Sequence, residues 1–125
     1  MARKRILMVD DEETFAKIVK MNLEQAGEYE VIIESRASKA VACAMSINPD
    51  LILLDIMMPE KDGLEILEAL KKNKKTVSIP VIMMTAVDDD RAKIKAAERY
   101  SEGYIVKPVT TQLLKETIDK VLTRR

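Results

Sequence analysis

In a chain whose strand-like runs are otherwise apolar, a few polar side chains stand at the ends of those runs: Asp10 and Asp11, Asp55, Thr85, and Lys107. Carboxylates, a hydroxyl and an ammonium are the groups that handle a metal ion and a phosphoryl group. Three carboxylates brought together repel one another, and without a counter-charge one of them takes up a proton. A hard divalent cation resolves the conflict better. Mg2+ prefers oxygen ligands, keeps several waters, and typically takes one or two carboxylates plus a phosphate oxygen. A lysine opposite such a cation would bracket a dianionic phosphoryl group, and Thr85 would add a hydroxyl donor. An aspartate held between metal and lysine can attack phosphorus, because phosphoryl transfer needs positioning and charge neutralisation more than covalent machinery. Each residue also has a plainer reading: Asp10-Asp11 as a helix cap, Thr85 as a strand residue, Lys107 as a surface charge. Their joint placement outweighs those readings.

The elements that must position them follow from hydrophobic patterning. Five short apolar runs, Arg5–Asp10, Tyr29–Glu34, Leu51–Ile56, Val81–Ala86 and Gly103–Lys107, are mostly continuous, as in strands buried on both faces of a parallel sheet. Helical segments lie between them. Phe15, Ile18, Val19, Asn22 and Leu23 share one face, and Gly27 supplies a stop. Ser38 is placed to cap a helix running to about Ile47, ended by Asn48-Pro49. Leu64, Leu67, Glu68 and Leu70 predict a third helix opening near Gly63, and Lys71 to Lys75 reads as its basic C-terminal turn and loop. Asp88-Asp89-Asp90 is an acidic helix start ahead of Ile94 and Ala97. Thr110 or Thr111 opens a last helix through Leu113, Leu114, Thr117, Ile118, Val121 and Leu122. Right-handed crossovers then put helices on both faces, giving a three-layer α/β domain. Function in such sheets gathers at the carboxyl ends of the strands, where Asp10, Asp11 and Asp55 meet if the first and third strands are neighbours.

Composition narrows the possibilities. The chain of 125 residues has room for one domain. Lys plus Arg (21) equals Asp plus Glu (21), which argues against binding nucleic acid by bulk charge. The absence of histidine removes His-based zinc sites and Ser-His-Asp or Cys-His catalysis. Cys43 has no partner for an internal disulfide and reads as a small buried apolar residue. No run reaches membrane-spanning length and the apolar run after the basic N-terminus is too short for a signal peptide, so a cytoplasmic protein without membrane insertion is expected.

The motifs VDDE (Val9 to Glu12), LLDIMMPEKDG (Leu53 to Gly63), MTA (Met84 to Ala86) and GYIVKP (Gly103 to Pro108) carry a resemblance. Over essentially all its length the chain resembles the receiver domain of two-component response regulators, particularly stand-alone chemotaxis-type members. The resemblance implies one receiver domain spanning 1–125, with a flavodoxin-like, doubly wound, five-stranded parallel sheet in the order 2-1-3-4-5 and five helices. It implies Asp55 as phosphoacceptor. Asp11 and Asp55, with the backbone carbonyl of Met57, would ligate Mg2+, and Asp10 would act mainly through a bound water. Lys107 would bind the phosphoryl oxygens, aimed by a cis bond to Pro108. Thr85 and Tyr104 would form the switch, although Tyr104 taken alone reads as a half-buried strand residue with a wet hydroxyl. A histidine kinase, a phosphotransfer protein or a small acyl phosphate would be the donor. The face of the fourth helix, fifth strand and fifth helix would contact a downstream protein, the chain being a monomer or a phosphorylation-dependent dimer. With no DNA-binding segment after Arg125, direct nucleic-acid contact by this chain is not expected, whether it stands alone or is the receiver of a longer regulator. It would be a signalling switch rather than an enzyme.

Three features depart from the family or need comment. Tyr100-Ser101 stands where members often carry Gly-Ala, so the turn before the fifth strand is expected to differ, since a tyrosine in a left-handed cap is strained. Met57 and Val87, two residues beyond Asp55 and Thr85, offer nothing polar to orient water, which predicts slow self-dephosphorylation. The pairs Met57-Met58 and Met83-Met84 read as adaptable core. Among rivals, an aspartate-nucleophile phosphatase lacks the second acid it needs two residues after Asp55. A flavodoxin-like cofactor binder lacks a Gly/Ser/Thr phosphate loop after the first strand. A phosphorylation-independent scaffold leaves the acidic set, Thr85 and Lys107 without a purpose.

Overall fold

The computed structural model describes residues 3–86 and 91–124. Strands β1 (Lys4–Val9), β2 (Tyr29–Glu34), β3 (Leu51–Asp55), β4 (Val81–Ala86) and β5 (Gly103–Lys107) form one parallel sheet in the order β2-β1-β3-β4-β5. Helices α1 (Glu13–Gln25), α2 (Ala40–Ile47), α3 (Gly63–Lys72), α4 (Arg91–Tyr100) and α5 (Thr111–Thr123) cover its two faces. This is the flavodoxin-like, three-layer architecture expected. The acidic run Asp88-Asp89-Asp90 and Val87 lie outside the described residues.

The period of two along each strand sorts the core into two halves. Leu7, Val9, Ile52, Leu54, Val81 and Met83 face α2, α3 and α4, meeting Ala44, Ile66, Leu70 and Ala97. Ile6, Met8, Leu51, Leu53, Ile82 and Met84 face α1 and α5, meeting Ala16, Val19, Leu23, Leu114, Ile118 and Val121. Leu51 to Leu54 are all 0% exposed. Each such side chain contributes about 1.5–3 kcal/mol of burial, so β3, like β4 beside it, is firmly held. Asp55, at its end, is carried on a rigid support.

Strand limits fall where expected to within a residue. Asp10 and Ile56 still donate their amides to Glu34 O (3.1 Å) and Met84 O (3.0 Å), but the chain is already turning out of the sheet. Helix faces depart further from expectation. The inward stripe of α1 is Ala16, Val19 and Leu23, with Phe15 packed beside it, whereas Ile18 is 49% exposed. At 3.6 residues per turn Ile18 sits about 100° round from Val19, on the flank. In α5 Leu113 is likewise outside, while its amide donates to the Thr110 hydroxyl at 3.1 Å, making Thr110 the cap. Ser38 does not cap α2. It belongs to a single 3-10 turn (Ala37–Lys39), and its hydroxyl faces the Glu60 carboxylate instead. Asn48 ends α2 as expected, in the left-handed region at φ 47°. Cys43 is only partly buried, packed at the margin of the α2 side of the core.

The turn before β5 does differ from a glycine-based one. Neither Tyr100 nor Ser101 is left-handed; Asn48 is the one non-glycine residue with positive φ among those described. The Ser101 amide donates to Ala97 O at 3.1 Å, and its hydroxyl lies against the carbonyls of Ala97 and Gly103. A serine side chain thus does the closing that backbone freedom would otherwise do. No helix among the described residues is long and apolar enough to cross a membrane.

Candidate functional site

Strand order and register bring the polar residues of the sequence to one end of the sheet. Asp10 follows the last residue of β1 and is fully buried. Its Oδ1 accepts the Glu12 amide at 2.9 Å, an Asx turn that starts the chain toward α1. Its Oδ2 accepts from Lys107 Nζ, also at 2.9 Å. Asp55 closes β3 at 5% exposure; one carboxylate oxygen lies 3.4 Å from the Met57 amide and the other 3.6 Å from Lys107 Nζ. Asp11 is exposed at the rim. Carboxylate oxygens of Asp10, Asp11 and Asp55 all lie within 4.8 Å of one another.

Lys107 reaches this group from the end of β5. Its bond to Pro108 is cis. The ammonium sits 4.6 Å from the centre of the Phe15 ring and donates to a fourth carboxylate, Glu12, at 2.9 Å. Burial works against the charged lysine, yet the hydrogen bonds to Asp10 and Glu12 and the charge of Asp55 outweigh it and hold its pKa above the ordinary value. For Asp55 the balance goes the other way. Burial, then the neighbouring Asp10 charge, push its pKa up to about 7 despite Lys107. One ammonium does not neutralise four carboxylates, and the mismatch is expressed most at Asp55.

That mismatch is the test of whether a divalent cation fits. The donors are all hard oxygens, they lie within 4.8 Å of one another, and when ionised they carry more negative charge than Lys107 compensates. Mg2+ suits such a set. Thiol and imidazole ligands, which would favour softer metals, are absent: the chain has no histidine, and its one cysteine lies in α2.

Thr85 and Tyr104 lie on the adjacent strands β4 and β5. Thr85 is fully buried, with its hydroxyl 3.5 Å from Ile105 O, the outer limit of a hydrogen bond. Tyr104 is 42% exposed, and Glu98 on α4, beside its hydroxyl, raises the phenol pKa. Met57 is half exposed. The Met57 side chain is therefore not core, in contrast to Met58, Met83 and Met84, which are buried.

Two contributions escape a reading of the sequence alone. Glu12 stands next to the aspartate pair and is a partner of Lys107; the run of four acids is itself the available signal. Gly63 matters for its missing side chain. A Cβ there would stand 2.3 Å from Asp55 O and 2.7 Å from Ile56 Cα, and the Gly63 amide donates to Ile56 O at 2.8 Å. Asp62 caps α3 through the Leu64 amide (2.8 Å) and pairs with Lys93 of α4 at 2.5 Å. The loop after Asp55 is thereby folded back onto the strand that carries it.

Known proteins resemble this chain in sequence and in fold. The family model of the response regulator receiver domain matches residues 6–119. The phosphate regulon transcriptional regulatory protein PhoB of Pseudomonas aeruginosa is 39% identical over 124 residues, 99% of this chain and 54% of its own length. The alkaline phosphatase synthesis transcriptional regulatory protein PhoP of Bacillus subtilis is 36% identical over 121 residues, 97% of this chain and 49% of its own. The chain spans about half the length of these curated relatives. Among solved structures, a CheY-like response regulator receiver domain protein from Methanospirillum hungatei superposes with a TM-score of 0.89 at 31% identity, covering 98% of this chain and 96% of that one. Sequence match, strand order and the carboxylate-rich sheet end agree: the chain belongs to the response regulator receiver domain family.

Proposed function

We propose that this receiver accepts a phosphoryl group on Asp55 in a Mg2+-dependent reaction and thereby switches a protein-binding face. The observation that carries the proposal is the set of three carboxylates within 4.8 Å, with Lys107 Nζ 3.6 Å from Asp55. Asp11, Asp55 and the Met57 carbonyl would hold the cation, with Asp10 contributing through a water. When bound, it would supply the positive charge that the carboxylates and an incoming phosphoryl group both lack.

A carboxylate oxygen of Asp55 forms the new bond to phosphorus. The bond from phosphorus to the donor's imidazole nitrogen or acyl oxygen breaks, and its electron pair leaves with the donor. A histidine kinase, a phosphotransfer protein or a small acyl phosphate fits that role. Lys107 then turns its third N–H to a phosphoryl oxygen, acting as a point charge. Thr85, whose hydroxyl is only loosely engaged, gains a stronger acceptor in the phosphoryl group. Its movement and that of Tyr104 bias the face of α4, β5 and α5, where Tyr104, Val106 and Leu113 are exposed apolar residues suited to a protein partner. Met57 gives water no polar guide to the acyl phosphate, and slow self-dephosphorylation follows.

The test is to incubate the protein with Mg2+ and acetyl phosphate and weigh it intact beside an Asp55→Asn variant. Gain of one phosphoryl mass, lost with EDTA and absent in the variant, supports the proposal. No gain, with Mg2+ binding verified, favours a scaffold or a receiver that accepts only from its own kinase.

A further inference from the structure

We propose that Glu12 is a positioning residue for Lys107: by taking one ammonium N–H it fixes how the nitrogen is turned, so that the remaining N–H is ready for a phosphoryl oxygen on Asp55. The inference rests on the reading of Asp55 as phosphoacceptor. A lysine ammonium is a poor pointer by itself, since it ends a flexible four-carbon stem, spins about its last bond and donates in three directions. Here that freedom is removed. Lys107 Nζ donates to Asp10 Oδ2 and to Glu12 Oε1, each at 2.9 Å. The nitrogen is tetrahedral, so once its carbon and two N–H bonds are placed the third direction follows. Among the described residues the one further carboxylate paired with it is that of Asp55, at 3.6 Å, too far for a hydrogen bond.

The two acceptors divide the work. Asp10 is fully buried and settles where the nitrogen sits; Glu12 reaches in from the rim and settles its rotation. Nothing else in the fold asks for the Glu12 side chain. Glu12 stands at the cap position of α1, but its carboxylate makes no capping bond there. Its amide goes to Asp10 Oδ1 and its carbonyl accepts the Ala16 amide, both at 2.9 Å and both backbone groups. At 62% exposure the side chain is not packing against a core either. Holding a long exposed side chain in one place costs rotamer entropy, and its bond to Lys107 is what offsets that cost.

The Phe15 ring, 4.6 Å from Nζ, completes the cradle, and the Lys107 side chain is left only 14% exposed. A donor bound at Asp55 would therefore meet an N–H already placed, with little reorganisation left to do as the bond to phosphorus forms. Glu12 also brings a negative charge, which works against an anionic donor. The two effects are opposed, and a pair of variants separates them. Glu12→Gln and Glu12→Ala both remove the charge, but only Gln keeps an oxygen that can accept from Lys107.

The test compares those two variants in two ways. Proton exchange of the Lys107 ammonium, followed by heteronuclear NMR without Mg2+ or phosphodonor, reads the positioning itself. It should be about tenfold faster in Glu12→Ala than in Glu12→Gln, with Gln restoring most of the parent's protection. The rate of phosphorylation by acetyl phosphate with Mg2+, at one donor concentration, should likewise be about tenfold lower in Ala than in Gln. Equal ammonium exchange in the two variants would overturn the proposal, and so would equal rates, since Glu12 would then act through its charge alone. If the parent itself takes no phosphoryl group, the Asp55 reading fails, and ammonium exchange still decides whether Glu12 holds Lys107. Should Glu12→Ala not fold, Glu12→Ser, which suits a helix cap but is too short to reach Lys107, makes the same comparison.

Discussion

The two ends of the sheet are built on opposite electrostatic plans. At the carboxyl end, Asp10, Asp11, Glu12 and Asp55 gather round one lysine, and burial leaves Asp55 protonated up to about pH 7. At the amino end the opposite holds. The Arg5 amide donates to Asp50 at 2.8 Å, and its guanidinium bonds Ile47 O and Glu30, each at 2.9 Å. Lys71 reaches Ile79 O at 3.2 Å and pairs with Glu102, whose other oxygen lies 3.3 Å from the Val81 amide. The buried Thr76 hydroxyl donates to Leu70 O at 2.6 Å. These groups have partners of opposite sign or complementary polarity. One end holds the molecule together, whereas the other carries an excess of negative charge that a proton on Asp55, or an added cation, relieves. Under the proposed function, local stability is surrendered where the chemistry would happen, and the well-paired end keeps the fold intact meanwhile.

The comparison is broken most severely by removing Lys107, the lysine that the carboxylates gather round. Lys107→Ala should lower the rate of phosphorylation by acetyl phosphate roughly a hundredfold, the scale for losing one charged stabilising group. Circular dichroism should still show a folded protein. Next in size is Glu102→Ala at the quiet end, which strands Lys71 and the Val81 amide. Urea denaturation should show a loss of about 1–2 kcal/mol, with the phosphorylation rate unchanged. A change in rate there would mean the two ends are not separable.

A pH series sharpens the contrast further. Asp55 keeps its proton in the folded state to about pH 7, whereas the unfolded chain releases it near 3.8. The native state therefore binds more protons in that window, and this residue's contribution to stability is lost as pH rises through it. In EDTA, Asp55→Asn should be more stable than the parent by about 1–2 kcal/mol at pH 8, the advantage vanishing near pH 4. Mg2+ should reverse the order at pH 8. The smallest effect expected is at Met57. Met57→Asn should shorten the lifetime of the phosphorylated form a few-fold, read by intact mass after the donor is removed, and faster decay in the parent would contradict it.

Much of this architecture is legible in the amino-acid order, for reasons that differ by element. β2, β4 and β5 fall at the expected residues, but only β4 of these is buried on both faces; the outer strands β2 and β5 keep partly exposed residues, so a short apolar run marks a strand without telling an inner one from an edge. Polar residues at the ends of such strands have little reason to be there unless they act together. Helix faces are harder. Ile18 and Leu113 are apolar yet exposed, and hydrophobicity without direction does not separate a flank from a stripe. Ser38 is a capping residue type but lies in a 3-10 turn, where its hydroxyl has a side-chain neighbour instead. The bonds of Lys20 and Glu24 to the Val31 carbonyl and amide leave no local signal, since the two look like any helix-surface pair until β2 is placed beside them. The closeness of Gly63 to Asp55 likewise exists only in three dimensions.

The ammonium of Lys107 resting 4.6 Å from the centre of the Phe15 ring has an optical consequence. The protein contains no tryptophan, so its own emission comes from three tyrosines. A Phe15→Trp replacement would place the only indole against the charge that would shift if the carboxylate cluster takes up a cation or, as proposed, a phosphoryl group. Its fluorescence would then report occupancy of the site in real time, from the ring the lysine already touches.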